Sequence, residues 1–185
     1  APTNEDELAD MMYTAMLHPG PSAIRYPRGA TPGATVKEHP RALEIGRAEV
    51  VRDGDEFMML RLGPLLPMAN ELALALEAQG YTAAVINPRF IKPLDRQLIS
   101  RYARRAVALV TMEDHVLMGG FGSAVLEALS EAGIETPVIR IGWPDRFIEH
   151  GKVDQLRARH GVSVEAALEK LAPYLRRGVG RPVTP

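Results

Sequence analysis

The stretch AVALVTMEDHVLMGGFGSAVLEALSEAG, residues 106–133, decides the fold class. It opens on a nearly unbroken apolar run, residues 106–112, the pattern of a strand covered on both faces. Gly119, Gly120 and Gly122 then lead into a helix over residues 119–132, and Gly133 closes it. A further β-branched strand follows at 137–141. Strand, helix and strand in that order form the repeating unit of a parallel sheet.

The same alternation extends upstream. Residues 57–62 read as a strand and residues 65–79, rich in alanine and leucine, as a helix stopped by Gly80. Residues 82–86 read as the next strand. In NPRFIKPLD, residues 87–95, the prolines end that strand and Asp95 caps a helix over 96–105. Residues 48–51 form another strand, and Arg52-Asp53-Gly54-Asp55 stands between it and 57–62. Asp-Gly is a strong hairpin signal, so the sequence predicts a hairpin and one antiparallel edge strand. Two helices are expected near 152–160 and 163–175, and a polar tail, RRGVGRPVTP, is expected to be disordered. The fold class is therefore α/β: a mixed, mostly parallel sheet with helices on both faces, spanning residues 43–175.

Ahead of this unit lies a different pattern. Residues 1–18 predict a helix capped by Thr3 or Asn4, with Glu5, Asp6 and Glu7 complementing its positive end. Leu8, Met11, Met12, Ala15 and Met16 recur at helical spacing and predict its packed face. A short strand, SAIRY at 22–26, ends at Pro27, and residues 31–42 lack any apolar period and predict an exposed linker. The predicted organisation is a helix and strand over 1–30, a linker over 31–42, the α/β domain over 43–175 and a tail over 176–185.

Composition excludes several classes. A formal net charge of -1 is unlike the basic excess of a nucleic-acid module. No apolar run approaches the roughly 20 residues that span a bilayer. The absence of cysteine removes disulfides and thiolate metal sites, and the acidic start is unlike a secretory leader. The composition is that expected of a cytoplasmic globular protein.

Four motifs carry chemistry-bearing residues. In AIRYPRGA, residues 23–30, Arg28 stands at a strand exit before a glycine, where α/β folds place ligand contacts. A guanidinium there suits a phosphate or carboxylate, since it offers parallel donors and keeps its charge; a surface arginine paired with an acid is the plainer reading. Arg25 is expected to secure the strand through an ion pair rather than to serve as a second ligand contact. Arg89 and Lys92 suit either an anion site or a rigid connection with solvated charges. His115, beside Glu113 and Asp114, suits a base or a surface hydrogen bond. In WPDRFIEHG, residues 143–151, Trp143 and Phe147 are expected to anchor the segment by apolar contacts, with Asp145, Arg146, Glu149 and His150 as a polar rim. The histidines show no metal spacing, and the glycines at 119–122 do not match a dinucleotide fingerprint.

Taken together, AIRYPRG, NPRFIKPLD, MGGFGSAVLE and PDRFIEHG resemble the C-terminal part of the 1-deoxy-D-xylulose-5-phosphate synthase family of transketolase-like enzymes. The resemblance covers residues 1 to about 175 and departs from the common pattern at TMEDH (111–115) and at Arg61-Leu62-Gly63-Pro64. It implies that residues 1–30 end a pyrimidine-binding domain and that 43–175 form a transketolase C-terminal domain. It implies a parent enzyme that uses thiamine diphosphate and magnesium to join pyruvate to glyceraldehyde 3-phosphate, acting with a second subunit. Arg28 matches the arginine that contacts the aldehyde's phosphate. The sequence holds no Gly-Asp-Gly motif for the diphosphate and metal, so no cofactor is expected on this chain alone. Two alternatives stay open: a non-catalytic dimerisation module, and another transketolase-like enzyme of the 2-oxoacid dehydrogenase β-subunit type.

Overall fold

The computed structural model describes residues 1–27 and 33–175. Arg28 and the tail at 176–185 lie outside the described residues. Helix α1 (Glu5–Leu17) comes first, capped by the Asn4 side chain, which accepts from the Glu7 amide at 2.9 Å. The α/β unit then runs β1 (Glu49–Arg52), β2 (Phe57–Arg61), α2 (Leu66–Glu77), β3 (Ala83–Asn87), α3 (Arg96–Ala103), β4 (Ala108–Val116), α4 (Phe121–Glu131), β5 (Val138–Trp143), α5 (Val153–Arg159) and α6 (Val164–Leu175).

The five strands lie in the order β1-β3-β2-β4-β5, all parallel except β1. The continuous apolar strands have a direct cause. On β2, Phe57 and Met59 face α2 and α6, whereas Met58 and Leu60 face α3 and α4. Side chains alternate across a strand, so a sheet covered on both faces needs apolar residues at every position. All five β2 residues are buried.

The hairpin expectation is corrected. β1 is the antiparallel edge strand, but it pairs with β3 and not with β2. Gly54 sits in this connection because it passes against the start of β3: a Cβ there would lie 2.4 Å from the Ala83 carbonyl carbon. Asp53 accepts from its neighbour's amide at 3.0 Å and from the Tyr102 hydroxyl at 2.7 Å. The Asp-Gly pair thus serves a close crossing, a demand that one-dimensional turn chemistry does not separate from a hairpin turn.

Two expectations for the N-terminal segment are also corrected. Residues 22–26 are not assigned to a strand, since a strand needs a ladder partner and none stands beside them among the described residues. The packed face of α1 is its polar one: Glu7, Asp10, Met11 and Thr14 are buried, whereas Met12, Met16 and Leu17 are exposed. Hydrogen bonds make that burial tolerable, because Glu7, Asp10 and Thr14 each have partners. Phe147, expected as an apolar anchor, is fully exposed, while Trp143 packs against the core.

Candidate site at the ends of the parallel strands

The C-terminal ends of β2, β3, β4 and β5 place Arg61, Asn87, Glu113 to His115, and Trp143 along one edge of the sheet. The start of α1 and the segment after it lie across this edge. Glu7 links α1 to it, accepting at Oε1 from Asn87 Nδ2 at 2.8 Å and Arg89 Nε at 2.7 Å. Its other oxygen accepts from the Thr3 amide at 2.7 Å. Burial pushes the Glu7 carboxyl up, but the Arg89 and Thr3 hydrogen bonds outweigh it and leave the group below its ordinary range. Arg89 also reaches Glu49 at 3.0 Å and adopts a left-handed backbone conformation, φ 59°. Arg89 is therefore paired with two carboxylates, and it lines one groove together with Lys92.

Arg61 is almost wholly buried at the end of β2. It donates to Thr3 Oγ1 and, at 3.1 Å, to the Gly63 carbonyl, while its Nε has no partner. Desolvation pushes the guanidinium down to about 10, against the favourable fields of Glu7 and Glu49. Arg61, Arg89, Glu7 and Glu49 form an alternating charge cluster that ties α1 to β1 and β2.

The segment read as an exposed linker is bound to α1. Lys37 pairs with Asp6 at 2.7 Å and Asp10 at 2.8 Å, and its amide donates to Asp6 at 2.8 Å. The Arg41 amide donates to Asp10 at 2.7 Å and the Leu43 amide to Thr14 Oγ1 at 2.8 Å. Residues without an apolar period are thereby laid along a helix by side-chain acceptors.

At the end of β4, Glu113 is fully buried and turned to the start of α4, accepting from the Phe121 amide at 2.6 Å and the Gly122 amide at 2.9 Å. Burial holds its carboxyl above the usual range, opposed by these amides. Gly120 is required here: a Cβ would stand 2.3 Å from Glu113 Oε2. His115 stands 4.0 Å from Glu113, with Nδ1 2.9 Å from the Val116 carbonyl oxygen, so Glu113 is committed to the helix and not to orienting a histidine base.

Asp114 is the meeting point. Its Oδ1 accepts from Trp143 Nε1 at 2.6 Å, its Oδ2 from Arg157 at 2.8 Å, and its carbonyl from Arg25. Arg25 is thus held by a carbonyl, not by the carboxylate expected of an ion pair. Its side chain lines a cavity of about 120 Å³ together with Tyr26, Pro27, Leu62, Gly63 and Asp114. It also borders a groove of about 480 Å³ walled by α1 and residues 89–93.

A model of the family described as transketolase, C-terminal domain, matches residues 46–166. The chain belongs to the transketolase C-terminal domain family. It is 68% identical over 176 residues to a 1-deoxy-D-xylulose-5-phosphate synthase of Acidobacterium capsulatum, covering 95% of this chain and 28% of that protein. A synthase of the same name from Methylacidiphilum infernorum is 55% identical over 175 residues, again with 95% and 28% covered. The chain therefore spans little more than a quarter of the length of these relatives. Among solved structures, a split gene transketolase in an inactive beta4 tetramer matches with a TM-score of 0.67 and 35% identity, covering 73% of this chain and 44% of that one. No helix among the described residues is long and apolar enough to cross a membrane.

Asp114, Glu7 and Asp10 were not singled out by the sequence reading for the roles they hold here. Glu7, Asp10 and Thr14 do recur at helical spacing, and that polar stripe is the signal that locates the buried face of α1.

Proposed function

We propose that this chain is the C-terminal part of a cytoplasmic synthase that joins pyruvate to glyceraldehyde 3-phosphate with loss of carbon dioxide, forming 1-deoxy-D-xylulose 5-phosphate. Residues 1–30 are the end of its pyrimidine-binding domain, 31–42 the connection, and 43–175 its transketolase C-terminal domain. Support comes from the 68% identity to a synthase across 95% of the chain. The observation that carries the site assignment is the contact of Arg25 with the Asp114 carbonyl. It brings residues 23–27 to the C-terminal ends of the parallel strands, where α/β sheets receive ligands. Arg28 comes next in the chain. Its guanidinium holds the phosphate of the aldehyde through charge-assisted hydrogen bonds, and so orients the carbonyl for attack.

Thiamine diphosphate supplies the carbanion chemistry in the parent, with magnesium on its diphosphate. The chain carries no Gly-Asp-Gly motif for the diphosphate and its metal. Cofactor binding belongs to the rest of the parent, and this chain alone is inactive. Met12, Tyr13, Met16 and Leu17 stand exposed on α1, an apolar face suited to the rest of the parent or a second subunit. That face also favours the second reading, a module that only supports association.

A chimera separates the readings. This chain replaces the matching segment of the Acidobacterium capsulatum synthase, and product formation from pyruvate and glyceraldehyde 3-phosphate is measured. The synthase reading expects turnover that depends on Arg28. An association module expects turnover unaffected by changing Arg28.

A further inference from the structure

We propose that residues 144–160 form a flap over the end of β4 that opens as one unit, with the ion pair of Arg157 and Asp114 as its latch. The two ends of the segment are firm: Trp143, the last residue of β5, packs against the core, and Val162 is 3% exposed. Between them the packing is thin. Residues 144–152 belong to no helix or strand, and α5 buries none of its residues. Phe147 is fully exposed and Val153 largely so. Cavities border α5 on both sides. One of about 410 Å³ lies between Ile148, Val153 and Leu156 of the segment and Asp114, His115 and Trp143 of the sheet. The other, about 270 Å³, separates Asp154 and Arg157 from Pro64, Met68 and Val164. An element with so little buried apolar surface opens at a low free energy while the sheet stays folded.

The contacts within the segment make it move as one body. Arg159 of α5 pairs with Glu149 of the preceding loop at 3.0 Å, and Arg146 of that loop lies 3.3 Å from Nδ1 of His160, which caps α5. Two contacts reach outward. The His160 ring stands over Trp143 with centroids 5.8 Å apart, and Arg157 donates to Asp114 Oδ2 at 2.8 Å. Both side chains of that ion pair keep about a quarter of their surface in water, 23% and 27%, so the latch is held by a contact that solvent screens. Asp114 is itself fixed from below, because Trp143 Nε1 donates to its other oxygen at 2.6 Å. Opening therefore frees Arg157, bares the Trp143 indole and widens the cavity at the C-terminal ends of the strands, the edge where α/β sheets receive ligands. The flap gates that edge.

Amide hydrogen exchange of the 185-residue chain tests this, with acrylamide quenching of Trp143, the one tryptophan, as a second readout. The Leu156 and His160 amides are bonded to the Lys152 and Leu156 carbonyls, and the Leu109 amide of β4 to that of Pro137. The first two are expected to be about a hundredfold less protected than the third. Arg157→Met should speed exchange at Leu156 and His160 about fivefold and raise the quenching constant, with Leu109 unchanged. Arg157→Lys recovers most of the effect. Asp114→Asn, which keeps an acceptor for Trp143, acts as Arg157→Met does, and the two changes together add nothing, because both break one contact. Equal protection of α5 and β4 would mean that the segment opens only with the whole fold, and overturns the flap. A rise at Leu109 as large as that at Leu156, additive effects of the two changes, or no effect of either overturns the latch.

Discussion

Glu7 Oε1 lies 2.7 Å from Arg89 Nε, and this bond joins the first helix to the connection that leaves β3. Arg61 lies buried in the same cluster with an unpartnered Nε. Glu7→Gln keeps the shape but leaves two guanidinium groups with less compensation. Removing one partner of a buried pair costs about 3 kcal/mol, at the low end of such cases because the Arg89 side chain keeps 22% of its surface in water. Urea denaturation reads the loss; a change below about 0.5 kcal/mol, the scale of an ordinary surface substitution, would contradict the cluster's role.

The two buried carboxyl groups give opposite pH dependence. Glu7 lies below its ordinary value of 4.5 in the folded chain, so its contribution is present above that value and lost as pH falls through the folded pKa. Glu113 lies above 4.5, because burial outweighs the amides of Gly122 and Phe121. Its contribution is complete below 4.5 and is lost as pH rises through the folded pKa. Denaturation series across pH therefore diverge: the cost of Glu113→Gln shrinks as pH rises from 4.5, while the cost of Glu7→Gln shrinks as pH falls below it. Parallel curves would refute the assignment.

The glycines near α4 differ in what they serve. At Gly120 a Cβ would meet Glu113 Oε2 at 2.3 Å and the Val116 carbonyl oxygen at 2.4 Å, whereas at Gly133 the space is open and only the positive φ of 61° matters. Gly120→Ala is expected to cost about 3 kcal/mol through overpacking. Gly133→Ala costs roughly 1 kcal/mol, the left-handed backbone penalty alone. Equal losses would mean that the Glu113 cap yields easily.

The strap from Lys37 to Leu43 has a signature in amide exchange. The amides of Lys37, Arg41 and Leu43 donate to Asp6, Asp10 and Thr14 although no helix or strand includes them. They are expected to exchange well below the random-coil rate, and Thr14→Val is expected to release Leu43 first. Exchange at the coil rate in the unaltered chain would show that the strap is open in solution.

Most of the sheet was legible in the sequence because its strands are buried on both faces, and continuous apolar runs such as residues 57–60 have few other readings. The Asp53-Gly54 pair misled because a turn and a close crossing against Ala83 ask for the same residues. α1 misled for a different reason. Apolar spacing identifies a face that wants covering, but not which body covers it; here Glu7, Asp10 and Thr14 face the sheet and strap, and Met12 and Met16 look away. Asp114 was unreadable as a hub, since its partners Arg25, Trp143 and Arg157 are brought to it only by the fold.

The most direct measurement is steady-state kinetics of the chimera carrying Arg28→Ala, with each substrate varied in turn. Loss of a charge-assisted contact worth roughly 2 kcal/mol should raise KM for glyceraldehyde 3-phosphate about thirtyfold and leave that for pyruvate nearly unchanged. A rise of equal size in both constants, or in neither, would contradict the assignment of this chain's arginine to the sugar phosphate.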